Sequence, residues 1–444
     1  MAKIVIQKKI KAFNKVINVD GDKSLSIRSL LIGSQSYGIC KIRNLPKSED
    51  ILSTIEGLKK LGIKIYFKKK ICFLYGNGLN GFNYKKNITI NAGNSGTFAR
   101  LLLGLLIKSP YEIKLEGDRS LSKRDFQRIT DPLKEFGATF KSKNKRNLPL
   151  KILGTEFLRP IKYLEKRGSA QCKSSVILAA LNTPGKTIIN AKKSRNHTEL
   201  FLKHLKMPIK IIRKKKYDII EISGENQIKS FNYEIPGDIS SSAFFITLTL
   251  LSKNSKLKIK NANINQSRTG FIKIINMMGA NVKLTNKRNL YGEQLADICV
   301  NSQKNLKSIN CPVEFNSNAI DEFLVIFLLA AKAKGISSFR KLEELNKKES
   351  PRLKLASKIL KKIGVKIKLG SGSIKIFGNP KLIVNKNIFI NNYYKDHRIC
   401  MMAVIASLVF GGKWTISDAN CYKSSFPSFL RLIKKIGCNY KYSK

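Results

Sequence analysis

The feature that most constrains the fold is a phrase that returns six times: an amphipathic helix pattern stops near a glycine and leads directly into an alternating strand pattern. The copies run Gly57 to Ile65, Asp131 to Phe140, Leu202 to Ile211, Ile274 to Val282, Ile359 to Ile367 and Leu432 to Tyr440. In five of them Gly62, Gly137, Gly279, Gly364 or Gly437 takes the position after the last helical turn, where a left-handed residue ends a helix. The third copy is degenerate, with Lys-Met-Pro at that point. A spacing of roughly 70 to 85 residues is too long for a solenoid repeat and suits a supersecondary unit with two helices and several strands. Six units suggest two domains of three.

Between the copies lie second helices that are apolar nearly all round: Phe98 to Ile107, Ser174 to Leu181, Ala243 to Leu251, Phe323 to Ala333 and Met401 to Phe410. Such helices are expected to be buried, enclosed by strands and by the outer amphipathic helices. A single doubly wound parallel sheet fits less well, because the strands come in short pairs and clusters. The fold class is therefore α/β.

The 84 Lys and Arg against 29 Asp and Glu leave a net charge of +55, which raises nucleic acid, membrane or multiply charged anions as partners. The lysines are scattered through text such as Lys210 to Lys216 and Lys253 to Lys260, with no aromatic-interleaved stripe. They read first as solvated surface and second as steering for anionic substrates. Eight dispersed cysteines without a CxxC pair, and three histidines, indicate neither a metal site nor a disulfide framework, and a reducing compartment fits. Met1 to Asn18 has no continuous apolar core, and the longest strong apolar run, Phe323 to Ala331, has helix-core length. A soluble cytoplasmic enzyme is expected, with no nucleic-acid or membrane partner and no cofactor.

Several polar phrases lead into the apolar helices. Asn91 to Arg100 brings Gly93 and Gly96 to a helix start suited to an anion, either as a binding loop or as an ordinary turn before a core helix. Asp22 to Arg28 precedes a helix expected from Ser29, with Lys23 and Arg28 read alone as solvated cations before ligands. Gly117 to Arg124 is a polar loop or an anion clamp. Gly168 to Ser175 offers hydroxyl, amide and ammonium donors, and Asn196 with Glu199 has the spacing of a capping box. Asp321 and Glu322 sit where an apolar helix begins, Ser350 and Pro351 read as N-cap and first helical residue, and Asp396-His397-Arg398 precedes the last apolar helix.

Taken together these phrases resemble the enolpyruvyl transferases, specifically 5-enolpyruvylshikimate-3-phosphate synthase. The supporting residues run collinearly over nearly the whole chain: Gly21-Asp-Lys-Ser, Gly93-Asn-Ser-Gly-Thr, Gly117-Asp through Arg124, Ser169-Ala-Gln-Cys-Lys-Ser, Ser194-Arg-Asn-His-Thr-Glu, Pro236-Gly-Asp-Ile-Ser-Ser, Arg268-Thr-Gly-Phe, Ile320-Asp-Glu, Lys348-Glu-Ser, Asp396-His-Arg and Ser425-Phe-Pro. The resemblance implies a two-domain inside-out α/β barrel, each domain three repeats of a βαβαββ-type unit around buried helices. One domain would be residues 1–20 plus 236–444, the other 21–235, with hinge crossings near 20 and 236 and closure over the substrates.

The family transfers the enolpyruvyl group of phosphoenolpyruvate to the 5-hydroxyl of shikimate 3-phosphate and releases phosphate through a tetrahedral adduct. Each close like-charge pair costs roughly 4 kcal/mol at about 4 Å and an effective dielectric near 20, so a site for two polyanions needs several cations. Carried over by motif, Lys23, Asn94, Gly96, Arg124, Gln171, Arg352 and Arg398 would hold phosphoenolpyruvate. Lys23, Ser24, Arg28, Ser169, Gln171, Ser194, Asp321 and Lys348 would hold shikimate 3-phosphate. Asp321 would be the base for the 5-hydroxyl, Glu349 would move a proton at the methylene carbon, and Lys23 would assist catalysis. No metal or cofactor is implied, and a monomer is expected.

Two departures stand out. Pro351 replaces the usual Asp, removing a carboxylate neighbour for Arg352, and Ser424 replaces a lysine of one branch, with Lys423 adjacent. Gly96 leaves room for a longer anionic competitor, so sensitivity to glyphosate is expected, while Arg100 reads as structural. The alternatives are the UDP-N-acetylglucosamine enolpyruvyl transferase, disfavoured because Gly117 to Arg124 has no cysteine, and a non-catalytic anion- or RNA-binding relative.

Overall fold

The six amphipathic patterns form the helices Glu49–Lys60, Gln127–Glu135, His197–His204, Gly270–Met277, Arg352–Lys362 and Phe429–Lys435. In the computed structural model, which describes residues 2–142 and 146–443, five of them end through a left-handed glycine, as at Gly62 with φ +83°. The degenerate third copy keeps the same turn: Lys206 takes φ +58°, at a cost of roughly 1–2 kcal/mol that glycine avoids. Packing of that helix, through buried Phe201 and Leu202, offsets this.

The apolar patterns are the inner helices. Lys23–Ser34, Gly96–Leu105 and Ala170–Leu181 fill one hydrophobic core, and Ile239–Leu251, Phe323–Lys332 and His397–Phe410 fill another. Five of them start earlier than the sequence suggests, because polar residues cap or enter the first turn. The largest correction is the helix expected from Ser29, which begins at Lys23: the Asp22 carboxylate accepts the Leu25 N–H at 2.9 Å and so caps it. Lys23 to Arg28 are therefore helical, on a helix with ten buried residues from Leu25 to Ser34.

Among the described residues the strands form six sheets, and the connection repeats. Thr89–Asn91 lies parallel to Ile113–Glu116 across the helix Gly96–Leu105; Leu150–Leu153 then joins antiparallel, with Thr139–Ser142 at the edge. Lys162–Glu165, Lys186–Lys192, Tyr217–Ser223 and Ile209–Arg213 repeat this order. The leading strand for Ser36–Arg43 comes from the far end of the same unit, where Ile228–Lys229 and Asn232–Glu234 pair parallel to it. In the other unit Asn14–Ile17 leads into Lys256–Asn263, and Lys3–Ile6 pairs antiparallel with both Lys413–Ile416 and Lys441–Ser443.

By its internal contacts the chain divides into one compact unit of Met1–Asp20, Pro236–Arg288 and Gln294–Lys444, and a second of Gly21–Ile235 with Asn289–Glu293. Met1, residues 143–145 and Lys444 lie outside the described residues. No described helix is long and apolar enough to cross a membrane.

Candidate active site

In the Gly21–Ile235 unit the expected site residues gather around the starts of the inner helices. Lys23, in the first turn of its helix, meets the Asp50 carboxylate at 2.8 Å, and both are largely buried. One turn on, Arg28 is 3% exposed and donates to three neutral oxygens, Thr198 Oγ1 at 2.8 Å, the Ser24 carbonyl at 3.0 Å and Ser174 Oγ at 3.1 Å. Burial lowers its pKa to about 10, although Glu199 and Asp22 act to raise it. A cation held by neutral acceptors gains most from an incoming anion. Ser194 is buried, and its hydroxyl has no hydrogen-bond partner among the described residues, while Ser169 caps the helix Ala170–Leu181 by accepting the Cys172 N–H at 3.3 Å.

A second cluster surrounds Gly96. Asp118 Oδ2 accepts from Asn94 at 2.5 Å, and Asn94 Oδ1 in turn accepts from Arg124 Nη2 at 2.9 Å, so Asn94 transmits the carboxylate's position to the guanidinium. Arg100 donates to Gln171 Oε1 at 2.6 Å, while Gln171 donates to Thr97 at 2.9 Å. Burial, then the charges of Arg128 and Arg124, lower the Arg100 pKa to about 9. Arg100 is thus a strongly perturbed member of a cationic cluster, which adds an electrostatic part to the structural role expected from its apolar setting. Gly93 has the left-handed φ of +56°, whereas Gly96 does not; its need for glycine is space, since a Cβ there would lie 3.0 Å from Arg124 Nη1.

In the other unit the acids and cations interlock. Arg352 is 1% exposed and forks onto Asp396, with Nε at 2.9 Å from Oδ2 and Nη2 at 3.2 Å from Oδ1. It also pairs with Glu349 and, at 3.5 Å, with Asp321. Burial opposes the Arg352 charge, but Asp396, Glu349 and Asp321 more than offset it and hold its pKa above the ordinary value. Burial likewise works to raise the Asp396 pKa, yet Arg352 holds the carboxyl below the usual range. Asp321 lies 3.8 Å from Lys348 Nζ and 3.9 Å from Arg398 Nε, and its carbonyl accepts from Arg398 Nη1 at 3.1 Å. Three cations therefore surround one partly exposed carboxylate.

Several local expectations need correction. Arg352 does not lack a carboxylate neighbour: with Pro351 in place, Asp396 is brought from 44 residues away and takes that role. Ser350 does not cap the helix Arg352–Lys362; its hydroxyl donates to Asp396 at 2.7 Å, which leaves Pro351 at the N-cap position. No capping box forms at Asn196, because Glu199 is drawn to the buried ammonium of Lys173 at 2.6 Å. Ser424 spends its hydroxyl on the Cys421 carbonyl at 2.8 Å, and Lys423 is exposed.

Sequence reasoning missed the pairings: Asp50, Thr198, Ser174, Thr97 and Asp118 each meet an expected site residue from a distant stretch, and of these only Asp50 lies outside the motifs quoted above. It also missed a buried network beside Asp321, in which Arg268 donates to Ser240 Oγ at 2.7 Å and Ser240 donates to Glu322. The pairing of Asp321 with Glu322 before an apolar helix was the available signal.

Comparison with known proteins places the chain among enolpyruvyl transferases. The 3-phosphoshikimate 1-carboxyvinyltransferase of Ruthia magnifica is 39% identical over 441 residues, covering 99% of each chain, and that of Petrotoga mobilis is 37% identical over 95% of this chain and 97% of the relative. The EPSP synthase structure from Acinetobacter baumannii superposes with a TM-score of 0.88 at 32% identity over the full length of both chains. The enolpyruvyl transferase NikO from Streptomyces tendae, at 13% identity and a TM-score of 0.77 over 99% of each chain, shares the fold. The family model for EPSP synthase (3-phosphoshikimate 1-carboxyvinyltransferase) matches residues 7–433, and a chain that carries these clusters and these likenesses over nearly its whole length belongs to that family.

Proposed function

We propose that this chain transfers the enolpyruvyl group of phosphoenolpyruvate to the 5-hydroxyl of shikimate 3-phosphate and releases phosphate by addition and elimination, as a step of the shikimate pathway toward the aromatic amino acids. The observation that carries the assignment of roles is the Asp321 carboxylate held among Lys348, Arg352 and Arg398. The three cations fix the position of that carboxylate, which is partly exposed and so placed to meet the substrate hydroxyl as its base. Glu349, ion-paired to Arg352, is the group for proton transfer at the methylene carbon, and Lys23 assists from its position against Asp50.

Lys23, Asn94, Gly96, Arg124, Gln171, Arg352 and Arg398 bind phosphoenolpyruvate in this reading; Lys23, Ser24, Arg28, Ser169, Gln171, Ser194, Asp321 and Lys348 bind shikimate 3-phosphate. Cations at helix starts suit both substrates, since each carries a phosphate and a carboxylate. The two units are the two domains of an inside-out α/β barrel, with the hinge near 20 and 236, acting as a cytoplasmic monomer. The test is phosphate release measured with each substrate alone and with both. Release only with both is expected; none with both, beside an active reference enzyme, would refute the reading.

Gly96→Ala tests the phosphoenolpyruvate assignment. The added Cβ meets Arg124 Nη1 at 3.0 Å and Leu121 Cδ1 at 3.4 Å, so the guanidinium must shift by a few tenths of an ångström. The KM for phosphoenolpyruvate is expected to rise by about tenfold, corresponding to ~1.4 kcal/mol. Inhibition by the longer anion glyphosate should weaken by more than that in a competition assay, and equal losses would count against the assignment.

A further inference from the structure

We propose that Glu165 is a positioning residue for shikimate 3-phosphate, acting through the loop that presents Ser169; this rests on the assignment of Ser169 given above. Glu165 ends the strand Lys162–Glu165, paired with Ala191 of the parallel neighbour, and is 2% exposed. Its carboxylate turns back onto its own chain. Oε1 accepts the Arg167 N–H at 3.1 Å, and Oε2 accepts the Gly168 N–H at 2.6 Å and the Ser169 N–H at 3.0 Å.

Successive N–H groups that converge on one point form a concave nest that binds anions. Here the anion belongs to the chain itself, so the nest is a scaffold for the ligand-binding loop. Gly168 takes φ +70°, which reverses the chain tightly enough for three amides to reach one carboxylate. Ser169 follows in extended conformation, with φ −89° and ψ 107°, at the cap of the helix Ala170–Leu181. Charge-assisted bonds to a buried carboxylate are the strong kind, and they hold Ser169 and the first helical turn in place before substrate arrives. Gln171, the other expected ligand on this turn, is fixed from its far end by Arg100 and Thr97.

Glu165→Gln keeps the side-chain shape but removes the charge and turns one acceptor oxygen into an N–H₂ group that faces peptide N–H donors. The KM for shikimate 3-phosphate is expected to rise by about tenfold or more, with kcat within about threefold and the KM for phosphoenolpyruvate within about twofold. Glu165→Asp, which retains the charge on a shorter stem, should lie between the two. Amide hydrogen exchange of the 167–169 segment without substrates should be slow in the native chain and faster in Glu165→Gln.

Faster exchange with an unchanged KM for shikimate 3-phosphate would overturn the positioning role, as would equal losses toward both substrates. Exchange that stays slow in Glu165→Gln would overturn the nest itself. Should Glu165→Gln fail to fold by circular dichroism, a native-like KM in Glu165→Asp overturns the proposal and a raised one supports it. If the native chain releases no phosphate with both substrates, the functional reading fails, whereas the exchange comparison still decides whether Glu165 orders the loop.

Discussion

Asp321→Asn is expected to lower kcat by about 10²- to 10⁴-fold, the range for loss of a positioned general base, with the KM of each substrate changed by less than about threefold. The amide occupies the same volume and can still accept a hydrogen bond from Lys348, Arg352 or Arg398, which lie 3.5 to 3.9 Å from the carboxylate oxygen in the native chain. It cannot take a proton. Substrate binding through the cations therefore survives while the proton-accepting step is lost. Steady-state kinetics with both substrates varied would check this, and a loss confined to KM would remove Asp321 from the role of base.

Arg352→Met has the largest expected effect on stability. The native guanidinium, 1% exposed, answers Asp396, Glu349 and Asp321 together. Removing it leaves buried carboxylates without their cation, a change that costs roughly 3–5 kcal/mol and should lower the melting temperature by about 10 °C. Arg352→Lys should recover only part of this, because an ammonium cannot fork onto both oxygens of Asp396.

The pH dependence follows from Asp396, whose folded pKa lies below its ordinary value. Its ionised form contributes stability that is fully present above about pH 4 and is lost as pH falls through the depressed folded pKa. In Arg352→Met burial acts unopposed by that cation, so the Asp396 carboxyl rises and the variant is relieved by protonation. The difference in melting temperature between native and variant chains should therefore shrink from pH 7 to pH 4. Calorimetry at the two pH values measures it, and a constant difference would show that Asp396 does not carry the loss.

The outer helices and their exits were legible because both signals are local: an apolar stripe at helical period and a glycine one position past the end. Even the degenerate copy at Lys206 obeys the pattern. The inner helices were legible as buried segments but not in their starts. Lys23 to Arg28 reads as loop because it is polar, and becomes helix because Asp22 caps it and partners elsewhere satisfy its side chains, Asp50 for Lys23 and Thr198 for Arg28. Ser350 and Asn196 failed as caps for a related reason: Asp396 takes the Ser350 hydroxyl, and Lys173 takes the Glu199 that would have completed the box at Asn196.

By itself the sequence determined the alternation of helix and strand, the six repeats and the kinds of charge placed at helix starts, since propensity, periodicity and capping act within a few residues of the chain. Tertiary structure alone decided which strand pairs with which, so that Lys3–Ile6 lies between Lys413–Ile416 and Lys441–Ser443, and which acid answers which cation, so that Arg352 meets Asp396. Pairing energies depend on separation in space and on burial, and neither is written in distance along the chain.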